Sequence, residues 1–442
     1  MIAPVFARMD PRRGWVPLLL LPAAIGLLWS FSILVVGYPT GQLVSDSAHY
    51  IAIANGLGET VPRPFSNRVL HASIAGWIAG VIDIPVEQAF PVLAIVTIVS
   101  FAMGLAVLSR NSGTPLWLVS MFALSPWLAG ASAAAFLPDL FHAALVAAFL
   151  LALSAQQTAL GSALLVAAGL TREHTLLLGL VAAGWFALHG RSWPTAAMLI
   201  AAVATPLLLN ALVSSPFANV HELNSSLYLT LKLAHSGLRN FFGLTVWSNT
   251  FDFCPDQSVS HIVPLPPWLR LGSIDRVGLC AIDWWRPFET LGVLLTIFGV
   301  APLLMIHVWR SGTLPRKLPD AVAIAGIYGV FAFALGPFAG TYLSRLIGYG
   351  WPAFLVFGPW LLCRQHLGRN ALPLVGVQLA VLWAPALSML LAQRELRILT
   401  VLSVALIGYA GAAALLGRAQ MAAFRSSPPS PDSSGSTGPA PP

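Results

Sequence analysis

The sequence predicts an all-α fold, a polytopic transmembrane helix bundle of about 12 spans, with an interfacial helix after the first span and one large extracytoplasmic loop. Three observations predict it. Hydrophobic residues fill 57% of the 442 positions and charged residues only 9%, whereas soluble domains carry about 25% charge. Apolar runs of about 17 to 25 residues, the length that crosses bilayer hydrocarbon, recur along the chain. Lys and Arg collect at the ends of those runs, where they fix orientation.

Taken in order, the first run covers 15–36 and follows Arg8, Arg12 and Arg13, which hold the N-terminus in the cytoplasm. It is too long for a signal-peptide core and reads as a retained span. Further runs cover 69–82, 86–108, 115–131, 140–155, 158–170, 175–188 and 193–213. After a long polar stretch they resume at 290–308, 321–338, 343–362, 372–391 and 396–416.

The run 69–82 sets the parity of everything after it. A span needs about 20 residues, so a run this short, with His71 and Ser73 in its first turn, suits a helix lying in the interface. If it lies flat outside, the short loops carrying Arg110, Arg191, Arg310, Arg316, Lys317, Arg364, Arg369, Arg418 and Arg425 all face the cytoplasm. Only Arg394 and Arg397 count the other way. Both termini are then cytoplasmic, in an integral membrane protein.

This organisation divides the chain into an N-terminal transmembrane module with a polar first loop (1–213), an extracytoplasmic loop (214–289), a C-terminal transmembrane module (290–418) and a disordered cytoplasmic tail (419–442). The tail is expected to be unstructured because it is rich in Pro and Ser. Cys254 and Cys280 share the polar loop; a disulfide there would close about 25 residues and contribute roughly 3 kcal/mol, and two free thiols are the alternative.

The net charge of +7 is not a nucleic-acid signal, because the basic residues are scattered rather than gathered on one stripe. No glycine-rich phosphate loop follows a predicted strand. The expected partners are membrane lipids, not nucleic acid.

Ionisable residues in so apolar a chain mark sites. The stretch 45–72, SDSAHYIAIANGLGETVPRPFSNRVLHA, carries Asp46, His49, Tyr50 and Arg68. As a helix from Ser45 it puts Asp46, His49 and Tyr50 on one face. Asp139 in LPDLFH, Arg172 and Glu173 in LTREHT, and Arg345 in GTYLSRLIGYG fall on the same predicted side. Each has a plainer alternative: Asp46 as a helix cap, Asp139 as a first-turn acid, Arg172 and Glu173 as a local pair, and Arg345 as a snorkelling interfacial residue. The loop 214–289, with His221, Glu222, His235, Arg239, Asp252, Asp275, Asp283, Trp284, Trp285 and Arg286, is a candidate for acceptor recognition or for headgroup anchoring.

An acid just after the first span, an Arg-containing stretch, an interfacial helix and then a span, in this order, resemble the GT-C superfamily of membrane glycosyltransferases. The resemblance rests on SDSAHY, RPFSNRVLHA, LPDLFHAAL, GLTREHTLLL and TYLSRLIGYGWP, and covers residues 15–190 better than the C-terminal third. The first loop has Asp46-Ser47 where the family often has two adjacent acids. The resemblance implies transfer of a sugar from a polyprenyl-phosphate donor to a lipid, glycan or protein acceptor on the extracytoplasmic face. Asp46 would then be the catalytic base, with Arg345, Arg172 and Arg68 binding the donor phosphate and Tyr50, Asp139, Glu173 and His49 in support. A divalent metal held by Asp46, His49 and Asp139 is left open. A transporter or lipid flippase, and a lipid-linked oligosaccharide ligase or polymerase, are the alternative functions.

Overall fold

The computed structural model describes residues 46–62, 65–189, 193–212, 225–249, 254, 259–270, 274–310, 318–340, 342–364 and 370–426. The run 15–36 and the arginines before it lie outside the described residues, as do Arg191, His221, Glu222, Asp252, Arg316, Lys317, Arg369 and the tail beyond Ser426.

The polar opening stretch folds first into α1 (Ser47–Ala54) and then into α2 (Val69–Ile82). The two pack so closely that a Cβ on Gly76 would lie 2.3 Å from the Ala54 carbonyl oxygen. One face of α2 is buried through His71, Ala72, Ala75 and Ala79, while Trp77 and Val81 on the other stay exposed. Helix α3 (Val86–Asn111) follows, with Glu87 in its first turn and Arg110 in its last, both matched to the helix dipole. Next come α4 (Leu116–Ala123) and α5 (Pro126–Ala133), bent by 65° at Ser125 and Pro126. There the Ser125 hydroxyl caps α5 and Pro126 takes its first position, where a missing N–H costs nothing.

Helices α6 (Asp139–Ser154), α7 (Thr158–Gly169), α8 (Thr175–Leu188) and α9 (Trp193–Leu212) complete the N-terminal half. Asn111, at the end of α3, donates to the Ser154 hydroxyl at the end of α6. Arg364 reaches the Ser112 carbonyl, so it shares this end of the bundle with Arg110. Asp139 stands at the opposite end of α6.

The described chain is mostly helical, as expected, but the polar stretch is not a loop throughout and adds one small sheet. It contains α10 (Ser225–Phe242) and then β1 (Leu244–Ser248), β2 (Ser260–Pro264) and β3 (Arg276–Ile282), paired antiparallel in the order β1-β3-β2. LTVWS and RVGLCAI hold the Val, Thr, Trp and Ile that favour a pleated surface, and Pro264 sits at the end of an edge strand, where no ladder donor is needed. A disulfide joins Cys254 to Cys280, with Cα atoms 6.2 Å apart. Gly243 turns the chain from α10 into β1 with φ +70°, and a Cβ there would meet the Asp283 carbonyl oxygen at 2.1 Å.

The second apolar half holds α11 (Arg286–Thr296) and α12 (Ala301–Arg310), bent by 68°, then α13 (Asp320–Ala339). The run 343–362 changes winding repeatedly: α14 (Leu343–Ile347), a 3-10 turn, a π segment (Ala353–Phe357) and α15 (Gly358–Leu362). Helices α16 (Ala371–Ser388) and α17 (Arg394–Ser426) close the described chain, so helix continues past residue 419 into the expected tail.

Three helices among the described residues are long and apolar enough to cross a bilayer, α3, α13 and α17, and each bent pair taken as one span brings the number to five. Shorter apolar helices account for other runs. The main core packs Phe101, Phe149, Trp351, Phe354 and Trp360 between the two halves, and a smaller core beneath α1 and α2 centres on Tyr50 and Phe90.

Candidate functional site

At the Asp139 end of the bundle the residues singled out for the site, His49 excepted, form two bonded groups, one around Asp139 and one around Arg68, set side by side by the adjacent Arg172 and Glu173. Asp139 occupies the first turn of α6 after Pro138 and is 3% exposed. Its carboxylate accepts from Arg172 Nη2 at 2.6 Å, from Arg345 Nε at 2.6 Å and from the Tyr349 hydroxyl. Arg345 on α14 also donates through Nη1 to Asp46 at 3.3 Å. Arg68, at the N-terminal boundary of α2, donates through Nε to both Glu173 oxygens at 2.9 and 3.1 Å, and through Nη1 to the Tyr50 hydroxyl at 3.3 Å.

Local backbone explains how the turn between α7 and α8 serves both halves. The Arg172 N–H closes the end of α7 on the Ala168 carbonyl, and the Thr175 N–H bonds the Arg172 carbonyl to start α8. The side chains of Arg172 and Glu173 then diverge, one to Asp139 and the other to Arg68, rather than pairing with each other.

Asp46 and Asp139 differ in what they can do. Asp139 is saturated by two guanidinium groups and a hydroxyl inside the protein, so it acts as a fixed anchor that aims Arg172 and Arg345. Asp46 stands at the N-terminal boundary of α1 but makes no side-chain cap bond. Its side chain is 22% exposed and, among the described residues, accepts only the Arg345 bond. It retains lone pairs for a proton.

His49 stands beside these ion pairs rather than among them, against a ring that also contacts Tyr50 and Arg68. Its ring stacks on Phe65 at 4.4 Å and belongs to no ion pair among the described residues. The metal arrangement of Asp46, His49 and Asp139 is therefore not assembled: Arg345 bridges the two carboxylates, and no group of three His, Cys, Asp or Glu among the described residues is placed to hold an ion.

Two members escaped the sequence reading. Tyr349 follows Arg345 by four residues, the spacing that puts two side chains on one helical face, and this could have been seen. Lys232 on α10 lies within electrostatic reach of Arg68, Glu173, Arg172 and Asp46. With it, three carboxylates face four cations. No local signal in the sequence points Lys232 there.

A chamber of about 310 Å³ adjoins the network. Trp127, Ala131, Leu137, Val293 and Pro385 give it apolar walls, and Asp139 and Arg345 line it too. Trp127 packs so tightly on Gly348 that a Cβ there would lie 1.8 Å from the indole. An apolar chamber walled in part by a guanidinium suits a molecule with a greasy tail and an anionic head.

Neither a family model, nor a curated protein, nor a solved structure matches this chain. Its function is therefore read from the geometry of the site.

Proposed function

We propose that the protein is an integral-membrane glycosyltransferase of GT-C type, which moves a sugar from a polyprenyl-phosphate donor to a lipid, glycan or protein acceptor. The shorter apolar helices are then further spans, giving about 12 in all, with α2 in the interface and the ionic network at the extracytoplasmic face of a bacterial inner membrane.

The observation that carries this reading is Arg345 joined to both Asp46 and Asp139, beside the apolar chamber. The donor's isoprenoid lies in the chamber and its phosphate meets Arg345 and Arg172, whose forks match phosphate oxygens. Among the described residues Arg172 Nε is buried without a hydrogen-bond partner, and a phosphate oxygen would satisfy it. Asp46, held at 3.3 Å against 2.6 Å for Asp139, is the carboxylate that an arriving phosphate displaces from Arg345.

Once displaced, Asp46 takes the acceptor hydroxyl proton as the hydroxyl oxygen bonds to the sugar's anomeric carbon. The bond from that carbon to the phosphate oxygen breaks, and the electron pair leaves with the polyprenyl phosphate. Arg345, Arg172 and, on the flank, Arg68 stabilise the growing negative charge, a term that often dominates catalysis. Asp139 positions two of those cations; Glu173 and Tyr50 position the third.

The test uses the purified full chain with a panel of radiolabelled polyprenyl-phosphate hexoses and pentoses. Label should pass covalently to an acceptor, and Asp46→Asn should slow this about 10²- to 10⁴-fold without loss of folded protein. Undiminished transfer by Asp46→Asn would remove the base assignment. Labelled substrate crossing a vesicle membrane with no covalent product would favour a transporter instead.

A further inference from the structure

The apolar chamber has a neighbour. A cavity of about 300 Å³ lies between α11, the end of α16 and the start of α17, walled by Phe288, Gly292, Met389, Ile398 and Val401. Val293, Thr296 and Pro385 are walls of both. The hydroxyl groups at this divide are occupied within their own helices. Thr296 donates to the Gly292 carbonyl at 2.7 Å, and Ser388 to the Pro385 carbonyl at 2.7 Å. The inner end of the cavity therefore offers hydrocarbon contact, which suits an alkyl chain. Of the three long apolar helices α17 is the least buried, with Leu399, Leu406 and Ile407 exposed along it, so the cavity lies at the periphery of the bundle.

Arg394 and Arg397 also line this cavity, and they are the two arginines that run against the positive-inside count. The structure accounts for the first, which bonds Asp283 at 2.8 Å and Glu289 at 3.0 Å. It gives the second no such reason. Among the described residues the Arg397 guanidinium makes no ion pair, and its Nη1 reaches the Met389 sulfur at 3.6 Å. Glu395, two residues earlier, lies on another face of the helix. A thioether is a weak acceptor, so the exposed Met389 yields its place to a phosphate oxygen at little cost. A cation beside an alkyl-lined cavity fits the two ends of an anionic lipid. The tail of the polyprenyl donor has no use for that cation, because the donor's own phosphate is assigned to Arg345.

We propose that this cavity binds an anionic phospholipid of the surrounding leaflet, with one acyl chain in the cavity and the phosphate on Arg397. The site goes beyond the glycosyltransferase reading and does not depend on it; it needs only that these helices lie in a bilayer. The end of the chain rests on Val293, Thr296 and Pro385, so the bound lipid braces a wall of the first chamber.

The test places the full chain in nanodiscs of equal parts phosphatidylcholine and phosphatidylglycerol and counts the lipids it retains on release, by native mass spectrometry. The wild type should retain phosphatidylglycerol in preference. Arg397→Gln should cut that preference about fivefold or more, the scale for one basic residue acting on an anionic lipid. Arg397→Lys should keep most of it, and Arg345→Gln should leave it unchanged. Val401→Phe, which fills the cavity and spares the cation, should also lower retention; thermal unfolding checks that each variant is folded. Equal retention of the two lipids by the wild type, or an unchanged preference in Arg397→Gln or Val401→Phe, overturns the site. Loss on Arg345→Gln alone places the lipid in the first chamber and also overturns it. So does displacement of phosphatidylglycerol by a long-chain polyprenyl phosphate, which gives the cavity to the donor's tail, or a dimer without bound lipid, which gives it to a second copy. Because the readout is retained lipid, the outcome is independent of the Asp46→Asn transfer assay.

Discussion

Arg345 and Asp46 are 299 residues apart in the chain, and their side chains meet at 3.3 Å. Arg345 is also bound to Asp139 at 2.6 Å, so one guanidinium ties the first polar stretch, the start of α6 and the last third of the chain together. The two carboxylates it joins should answer differently to neutralisation.

Asp139→Asn should destabilise the fold strongly. It leaves Arg172 and Arg345 without their buried counter-charge, and breaking a buried pair from one side typically costs about 3–5 kcal/mol. Asp46→Asn, at a partly exposed position, should cost less than about 1.5 kcal/mol. Thermal unfolding of the two variants in the same detergent checks this. Equal losses would mean that Asp139 is no more an anchor than Asp46.

Arg68 and Glu173 should be coupled. Their side chains are 12% and 39% exposed and make two contacts near 3 Å. A double-mutant cycle with Arg68→Gln and Glu173→Gln should return an interaction of about 0.5–3 kcal/mol, whereas Glu173 with Arg172→Gln should couple more weakly. Coupling of Glu173 to Arg172 alone would restore the local pair that the sequence also allowed.

The ionic residues were legible in the sequence because a charge in an apolar chain is costly and is kept where something needs it. Asp46, Arg68, Asp139, Arg172, Glu173 and Arg345 each stand out for that reason. Their pairing was not legible. Arg172 meets Asp139, and Glu173 meets Arg68, only after α2, α6 and α7 have packed, and adjacent residues in a turn carry no trace of which way each will point. His49 shares the short α1 with Tyr50, yet the proximity of Phe65 captures its ring. The sheet escaped notice because strands of five to seven residues, one of them ending in Pro264, give little period against so polar a background.

His235 provides a pH test. It lies on α10, which is not among the apolar helices, and is 2% exposed. Burial first, and then the charge of Arg239, push its imidazole down to about 4. An unfolded imidazole titrates near 6.5, so between these values the unfolded chain binds the proton and the folded chain resists it. Stability from this group is therefore full above pH 6.5, falls as pH drops through that window, and levels off below about 4. Unfolding midpoints measured from pH 7.5 to 4.5 should fall less steeply in His235→Gln than in the wild type. Parallel profiles would show that His235 does not contribute.

Trp127 has two roles, as a wall of the apolar chamber and as the surface against which Gly348 is pressed, three residues from Arg345. The calibre of the lipid compartment and the aim of the guanidinium are thus geared to one indole. An engineer who trims that ring to admit a bulkier tail also loosens the bearing on which the arginine turns. Selectivity and rate in such variants would move together, and tuning one without the other would require a compensating change on the Gly348 side.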